Sequence, residues 1–263
     1  MSALLQMPLY ISLLIVFFVG FGIAVLSMRL IKNKFAQDFL RENHDVAGFI
    51  FNSFTMMYAV LISFVVFINW SEYDQTQQNL FLETDELSKI FNDAQGFPDS
   101  LKKEIQSAVL NYSLKVANQE WELMEYGKTS EEVNTAYDKL WDVFLKMDVK
   151  KLPNVYLYQE SLSRLNIFSE KRRLRYHYMD NTIPGIVWFV VLISAAISSV
   201  FTYFFGMKHK VPHYLMGITY TVVNAMILFL IYVLDHPFAN SILISNETFL
   251  EIIRHFRNVM GAM

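Results

Sequence analysis

Residues 47–70 read AGFIFNSFTMMYAVLISFVVFINW, and residues 71–95 continue SEYDQTQQNLFLETDELSKIFNDAQ. The first part is long enough to cross the hydrocarbon core of a bilayer, which takes about 20 mostly apolar residues in a helix. The second part is charged, yet nothing stops the helix at Trp70. Tyr73, Gln77, Leu80, Phe81, Thr84, Leu87 and Phe91 keep a period near 3.6 until Gly96-Phe97-Pro98 breaks it. One unbroken helix is therefore predicted to leave a membrane and run on into water.

Three further apolar stretches lie outward from it, at about Leu4 to Met28, Ile183 to Phe205 and Tyr214 to Leu234. In lipid every backbone N–H and C=O must be satisfied within its own segment, so all four stretches are read as helices. The expected fold is an all-α integral membrane protein with four transmembrane helices and a helical soluble insert between the second and third. Residues 1–70 hold membrane helices 1 and 2, and residues 71–182 the insert. Residues 183–234 hold membrane helices 3 and 4, and residues 235–263 a tail with a short amphipathic helix. The first stretch lacks a basic leader and a small-residue cleavage site before Arg29, so it is read as a retained helix rather than a signal peptide.

Composition agrees with this division. Hydrophobic residues make up 54% of the chain and Phe numbers 23, while Lys plus Arg (22) nearly balance Asp plus Glu (25). A near-neutral chain gives no basic face for nucleic acid. The charge is segregated: the segment from Ser71 to Thr182 carries 19 acidic and 14 basic residues. Cysteine is absent, which excludes disulfides, thiolate metal sites and Cys nucleophiles.

Four crossings place the insert and both termini on one side of a cytoplasmic membrane, and the short loops on the other. The short loops hold Arg29, Lys32, Lys34, Arg41, Lys208 and Lys210; the insert's side offers Lys171, Arg172, Arg173, Arg175 and Arg254. By the positive-inside rule this count leans, by one charge, towards cytosolic short loops.

Within the insert, Asp99 or Ser100 is predicted to cap a helix with Leu101, Ile105, Val109, Tyr112 and Val116 on one face, closing near Gly127. Thr129 with Glu132 has the spacing of a capping box. It would open a helix carrying Val133, Ala136, Tyr137, Leu140, Trp141 and Phe144. A further run through Leu157, Ser161, Leu165 and Phe168 follows Leu152-Pro153. The tail helix, Glu247 to Met260, sets Phe249, Ile252, Ile253 and Phe256 on one side and is expected to pack on the insert.

The second membrane helix is the least lipid-like. At about 100° per residue, Gly48, Asn52, Thr55, Met56, Ala59, Ser63, Val66 and Trp70 fall within one narrow arc. Small and hydroxylated residues on one face fit either close helix packing or a pore wall. On the second reading Asn52 forms a polar ring and Met56 an apolar constriction. The third helix has Ser194, Ser198 and Thr202, and the fourth Asn224, which suit interhelical hydrogen bonds. No Asp, Glu, Lys or Arg lies inside the four stretches. Coupled carriers generally need such a group, so a passive pathway fits better than a pump. An enzyme finds no support: there is no phosphate loop, nucleophile elbow or HExxH. His209 and His213 have metal-pair spacing, but Pro212 separates them and no carboxylate accompanies them.

The order of two membrane helices, helical insert, two membrane helices and tail resembles the bestrophins. So do Trp70-Ser71-Glu72-Tyr73-Asp74 after the second helix, Ile183-Pro184 opening the third and Pro237-Phe238 after the fourth. Asn43-His44-Asp45-Val46-Ala47-Gly48-Phe49, Tyr58-Ala59-Val60-Leu61 and Ile244-Ser245 followed by Phe249 are similar to bacterial bestrophin-like membrane proteins. The resemblance implies a homopentameric ion channel whose second membrane helix lines a central neck, extended by the soluble helices. The neck positions would fall near Asn52, Met56 and Val60, with Thr55, Ala59 and Ser63 beside them. Ala239-Asn240-Ser241 stands where the calcium-gated relatives carry an acidic run, so no calcium activation and no cofactor are expected. The resemblance also places the insert in the cytosol, against the loop-charge count, and the cytosolic side is adopted here. Lys171, Arg172 and Arg175 are expected to supply charge at the pore mouth. The rival reading is a non-conducting membrane scaffold or sensor whose insert binds a protein partner.

Overall fold

The computed structural model describes residues 7–34, 44–180, 182–204, 210–239 and 243–261. Arg41, Lys208 and His209 of the short loops, and Asn240-Ser241 after Phe238, lie outside them. Among the described residues every regular element is helical: α1 (Leu9–Lys34), α2 (His44–Asp93), α3 (Asp99–Lys115), α4 (Glu131–Leu145), α5 (Val155–Asp180), α6 (Gly185–Phe201), α7 (Lys210–Leu234) and α8 (Glu247–Gly261). The chain divides into two compact units, Met1–Ser71 with Thr182–His236, and Glu72–Asn181 with Pro237–Met263.

Among the described residues, three helices are long and apolar enough to cross a membrane: Leu9–Arg29, Gly48–Gly96 and Val211–Leu234. A fourth crossing is reached when Val155–Asp180 and Gly185–Phe201 count together as one broken span. The expected third stretch is shorter than its apolar run because α6 ends at Phe201 and tightens into a 3-10 turn over Thr202–Phe204. Small residues let these helices approach. A Cβ on Gly20 of α1 would lie 3.1 Å from the Ala225 Cβ of α7, and one on Gly217 would lie 2.5 Å from Tyr203 Cε1. Without a hydrophobic drive between helices in lipid, such close contact is what holds them. Val65, Val191 and Ile231 form the buried apolar centre of the first unit.

The second unit has a soluble-protein core. Ile105, Val109, Tyr112 and Val116 of the predicted stripe are fully buried, as are Val133, Leu140 and Phe144 of α4. Tyr137 and Trp141 are half-buried, and the Tyr137 hydroxyl (2.9 Å) and Trp141 Nε1 (3.2 Å) both donate to Ser169 Oγ. That hydroxyl donates in turn to the Leu165 carbonyl (2.7 Å), so its one donor and two acceptor sites are all used. The tail helix packs on this core through Phe249, Ile253 and Phe256, with Phe256 stacked on Phe91 at 4.2 Å.

Several local expectations shift. The cap of α4 is Ser130 rather than Thr129: its backbone is extended, and its hydroxyl donates to Glu132 Oε2 (2.7 Å). Its N–H reaches back to Glu120 Oε1 (3.3 Å), which fixes the helix start one residue later. Pro98, not Asp99, holds the cap position of α3, and Asp99 contributes a negative charge to the first turn. Gln77 and Phe81 are exposed, while Asn79, Glu83 and Glu86 join Leu80, Leu87 and Phe91 on the buried side of α2.

The helix that begins at Asp99 is not regular to its end. A π-turn spans Val116–Glu120 before an α-helical turn at Trp121–Met124. There the Trp121 N–H bonds to the Val116 carbonyl, and the Ala117 carbonyl accepts instead from Asn246 Nδ2 of the tail (2.9 Å). Gly127, at φ 65°, then ends the segment, with Lys128 N–H bonded to the Leu123 carbonyl (3.0 Å) as in a Schellman cap.

Candidate functional site

The membrane part of α2 presents two sides. Tyr58, Val65 and Asn69 are buried against the neighbouring helices, whereas Asn52, Met56, Ala59, Val60 and Ser63 are exposed in the protomer. Met56 is 74% exposed and Val60 52%. Met56, Ala59, Val60 and Ser63 share an open groove with Phe64 and Phe67. Thr55 sits on the shoulder between the sides; its hydroxyl oxygen is buried without a hydrogen-bond partner. The structure therefore brings the six expected pore residues onto one flank of one helix.

That exposed half is itself divided. At about 100° per residue, Asn52, Met56, Ala59 and Ser63 form a strip of small, polar or flexible side chains. Ile50, Met57, Phe64 and Ile68 form a second, bulky strip beside it, also exposed. Ser53 and Ser63 donate to the carbonyls of Phe49 (3.2 Å) and Ala59 (2.7 Å), and Asn69 to that of Val65 (2.7 Å). Their donors are satisfied within their own helix.

A polar seam runs behind this face. The Tyr58 hydroxyl donates to Asn224 Oδ1 at 2.6 Å. Asn224 Nδ2 donates to the Ala195 carbonyl (3.1 Å) and to Ser199 Oγ (3.2 Å) of α6. Asn224, with Ser198 Oγ also 3.5 Å from its Nδ2, thus serves the helix packing expected of it; Tyr58, the third partner, enters the sequence reading only through the string Tyr58-Ala59-Val60-Leu61, which gives no sign of this bond.

At the start of α6, Asp235 accepts from the Ile183 N–H (2.6 Å) and from Trp188 Nε1 (3.1 Å). A carboxylate there satisfies a helix N-terminus and complements its dipole. Asp235 is a structural clamp; among the described residues no three of His, Asp and Glu converge to hold a metal ion.

The expected mouth charges separate. Arg175 is 1% exposed, with Nε 2.9 Å from Glu83 Oε2 and an η-nitrogen 2.8 Å from Glu120 Oε2. The Tyr112 hydroxyl donates to Glu83 (3.1 Å), and that of Tyr176 to Glu120 (2.8 Å). Burial pushes the Glu83 carboxyl up, against the pull of Arg175 beside it. Burial alone would lower Arg175, but Glu83, Tyr112 and Glu120 hold it well above its ordinary value. Arg172 is also buried, bonded to Asn134 and lying over the Tyr137 ring at 4.3 Å. Neither guanidinium presents its charge to water. Lys171 stays partly exposed beside Glu170, and Arg173 is the exposed arginine of the run.

Apolar helices joined by a buried polar seam, with a separate water-adapted helical core, define an integral membrane protein of the all-α class. The family model for the Bestrophin-like domain matches residues 15–249, and the chain belongs to the Bestrophin-like family. Its fold is similar to crystal structures of two variants of a bacterial bestrophin homologue from Klebsiella pneumoniae. One has TM-score 0.72 at 9% identity, over 95% of this chain and 99% of that one. The other has TM-score 0.72 at 11% identity, over 95% and 97%. None of the curated proteins matches the sequence.

Proposed function

We propose that the chain forms a homo-oligomer, a pentamer on the bestrophin pattern, in the cytoplasmic membrane and conducts monovalent ions passively through a central pore lined by α2. Four crossings per protomer, with the insert in the cytosol, complete this reading. The observation that carries it is the divided exposed half of α2. An Asn amide turned to hydrocarbon with no partner costs a few kcal/mol, whereas bulky apolar side chains are at home there. The strip of Asn52, Met56, Ala59 and Ser63 suits water in an assembly, and the strip of Ile50, Met57, Phe64 and Ile68 suits lipid or a neighbouring copy. A single protomer cannot close a path around one helix, so conduction requires the oligomer. Thr55 and Val60 flank the polar strip, and Lys171 and Arg173 remain as the cations near water.

Purified protein in a planar bilayer tests this. Unitary currents that change in size with Asn52→Ala or Met56→Ala are expected. Silence across voltages, pH values and ions would replace the channel with the scaffold whose insert binds a partner.

A further inference from the structure

We propose that the Tyr58–Asn224 hydrogen bond fixes the rotation of α2 about its axis and thereby decides which of its residues face the conducting path, a positioning role that rests on the channel reading above. Tyr58 lies two residues after Met56 and two before Val60, so at about 100° per residue its side chain stands nearly opposite theirs. What Tyr58 binds therefore sets where Met56 and Val60 point.

The pair has the properties of an angular reference. Asn224 is buried, with Oδ1 taken by Tyr58 and Nδ2 held by the Ala195 carbonyl and Ser199 Oγ, so α6 fixes the acceptor in place. Ser198 adds a further bond to the Ala195 carbonyl (2.9 Å), which ties this turn of α6 together. Beyond the membrane part, Asn79 and Glu83 also hold α2, through the Lys171 carbonyl and Arg175; within the membrane part, the ring contacts discriminate angle poorly. Phe51 meets Phe201 and Tyr220 at ring separations of 6.1 and 6.2 Å, and apolar rings tolerate sliding. Ser53, Ser63 and Asn69 donate within α2 and turn with it. A hydroxyl bond, by contrast, weakens steeply with misalignment. Turning α2 by one residue would leave the Tyr58 hydroxyl unpaired among apolar side chains, which Coulombic loss in a low-dielectric interior makes costly.

Cysteine is absent from the chain, so introduced thiols report cleanly. Met56→Cys and Met57→Cys place one thiol on each strip of the exposed half. The full chain, reconstituted in liposomes, is treated with a charged, water-soluble methanethiosulfonate, and the ratio of the two modification rates is measured in the parent, in Tyr58→Phe and in Asn224→Leu. The parent is expected to favour position 56. Either variant is expected to change the ratio by about three- to fivefold, the scale of one lost hydrogen bond. Tyr58→Phe removes a single oxygen; if Asn224→Leu fails to assemble by size measurement, Tyr58→Phe decides alone. A lowered melting temperature with an unchanged ratio would make the pair ordinary packing and overturn the proposal. Equal rates in the parent would count against the pore face instead, and a departure from that ratio in the variants would still support the pair.

Discussion

The Arg175 guanidinium and the Glu83 carboxylate lie 2.9 Å apart with neither in contact with water, and Glu120 closes on the same guanidinium from the opposite side at 2.8 Å. Two buried carboxylates around one cation leave an excess negative charge in the cluster unless a proton is held. Removing the cation while keeping both anions is the worst outcome. Arg175→Met is expected to destabilise the insert by about 3–5 kcal/mol, read as a lowered denaturation midpoint in detergent.

The same cluster gives a pH dependence. Burial raises Glu83 above its ordinary 4.5 in the folded chain. A raised folded-state value means the folded form binds the proton more tightly, so this group's contribution is complete below 4.5 and is lost as pH rises through the raised value. Melting temperatures of the parent should fall over that interval, and Glu83→Gln should flatten the profile. An equally steep profile in the variant would assign the slope to another group.

Asp235 accepts from two N–H groups, the Ile183 amide and the Trp188 indole. Asp235→Ala is expected to cost about 2–4 kcal/mol by leaving the Ile183 amide and the Trp188 indole unpaired, and Asp235→Asn about half as much, since it keeps one acceptor. Thermal melts of both in one detergent test the order.

Phe256 inserts into the insert's core against Phe91. Phe256→Ala should cost about 3–5 kcal/mol by the cavity it leaves. Limited proteolysis would show the loss as cleavage of the tail ahead of the rest of the insert.

Membrane orientation is open to a single label. Tyr156 is 84% exposed at the start of α5, and no native thiol competes. With a cytosolic insert, Tyr156→Cys reacts with an impermeant maleimide only after lysis; labelling of intact cells reverses the orientation.

Selectivity follows from which charges reach water. Setting aside buried Arg172 and Arg175 on one side and buried Glu83, Glu86 and Glu120 on the other leaves the insert with 16 acidic against 12 basic residues. Only charges within about 8 Å of the path act at physiological salt. A modest preference for monovalent cations is therefore expected from reversal potentials under a salt gradient. Strong anion selectivity would contradict it.

The long helix from the membrane into the insert was legible because its apolar face keeps one period through Leu80, Leu87 and Phe91, and its end is marked by Gly96 and Pro98. The strip on α2 was legible for the same reason. The ionic core was not. Glu83 stands three residues after Leu80 and four before Leu87, on the buried face, but a carboxylate there has no meaning until its partner is known, and Arg175 lies 92 residues away. Runs of charge such as Lys171 to Arg175 look uniformly solvated in sequence, whereas the helix turns two of the guanidiniums inward. The Asp235 clamp was hidden likewise, since its partners come from the far end of another helix.

Tyr112, Val116, Glu120 and Met124 recur every fourth residue and are all buried. Over three such steps a regular α-helix would carry that line about 120° around its axis, out of the core. The π-turn takes up the drift by accommodating one residue more than the helix needs. The tail's anchor at the Ala117 carbonyl is thus written into chain length rather than into a side chain. Substitutions at 117 leave that oxygen in place. Deleting exposed Asn118 would let the helix close its own ladder, reclaim the carbonyl and withdraw it from Asn246. In this segment insertions and deletions, more than point changes, are what the fold cannot absorb.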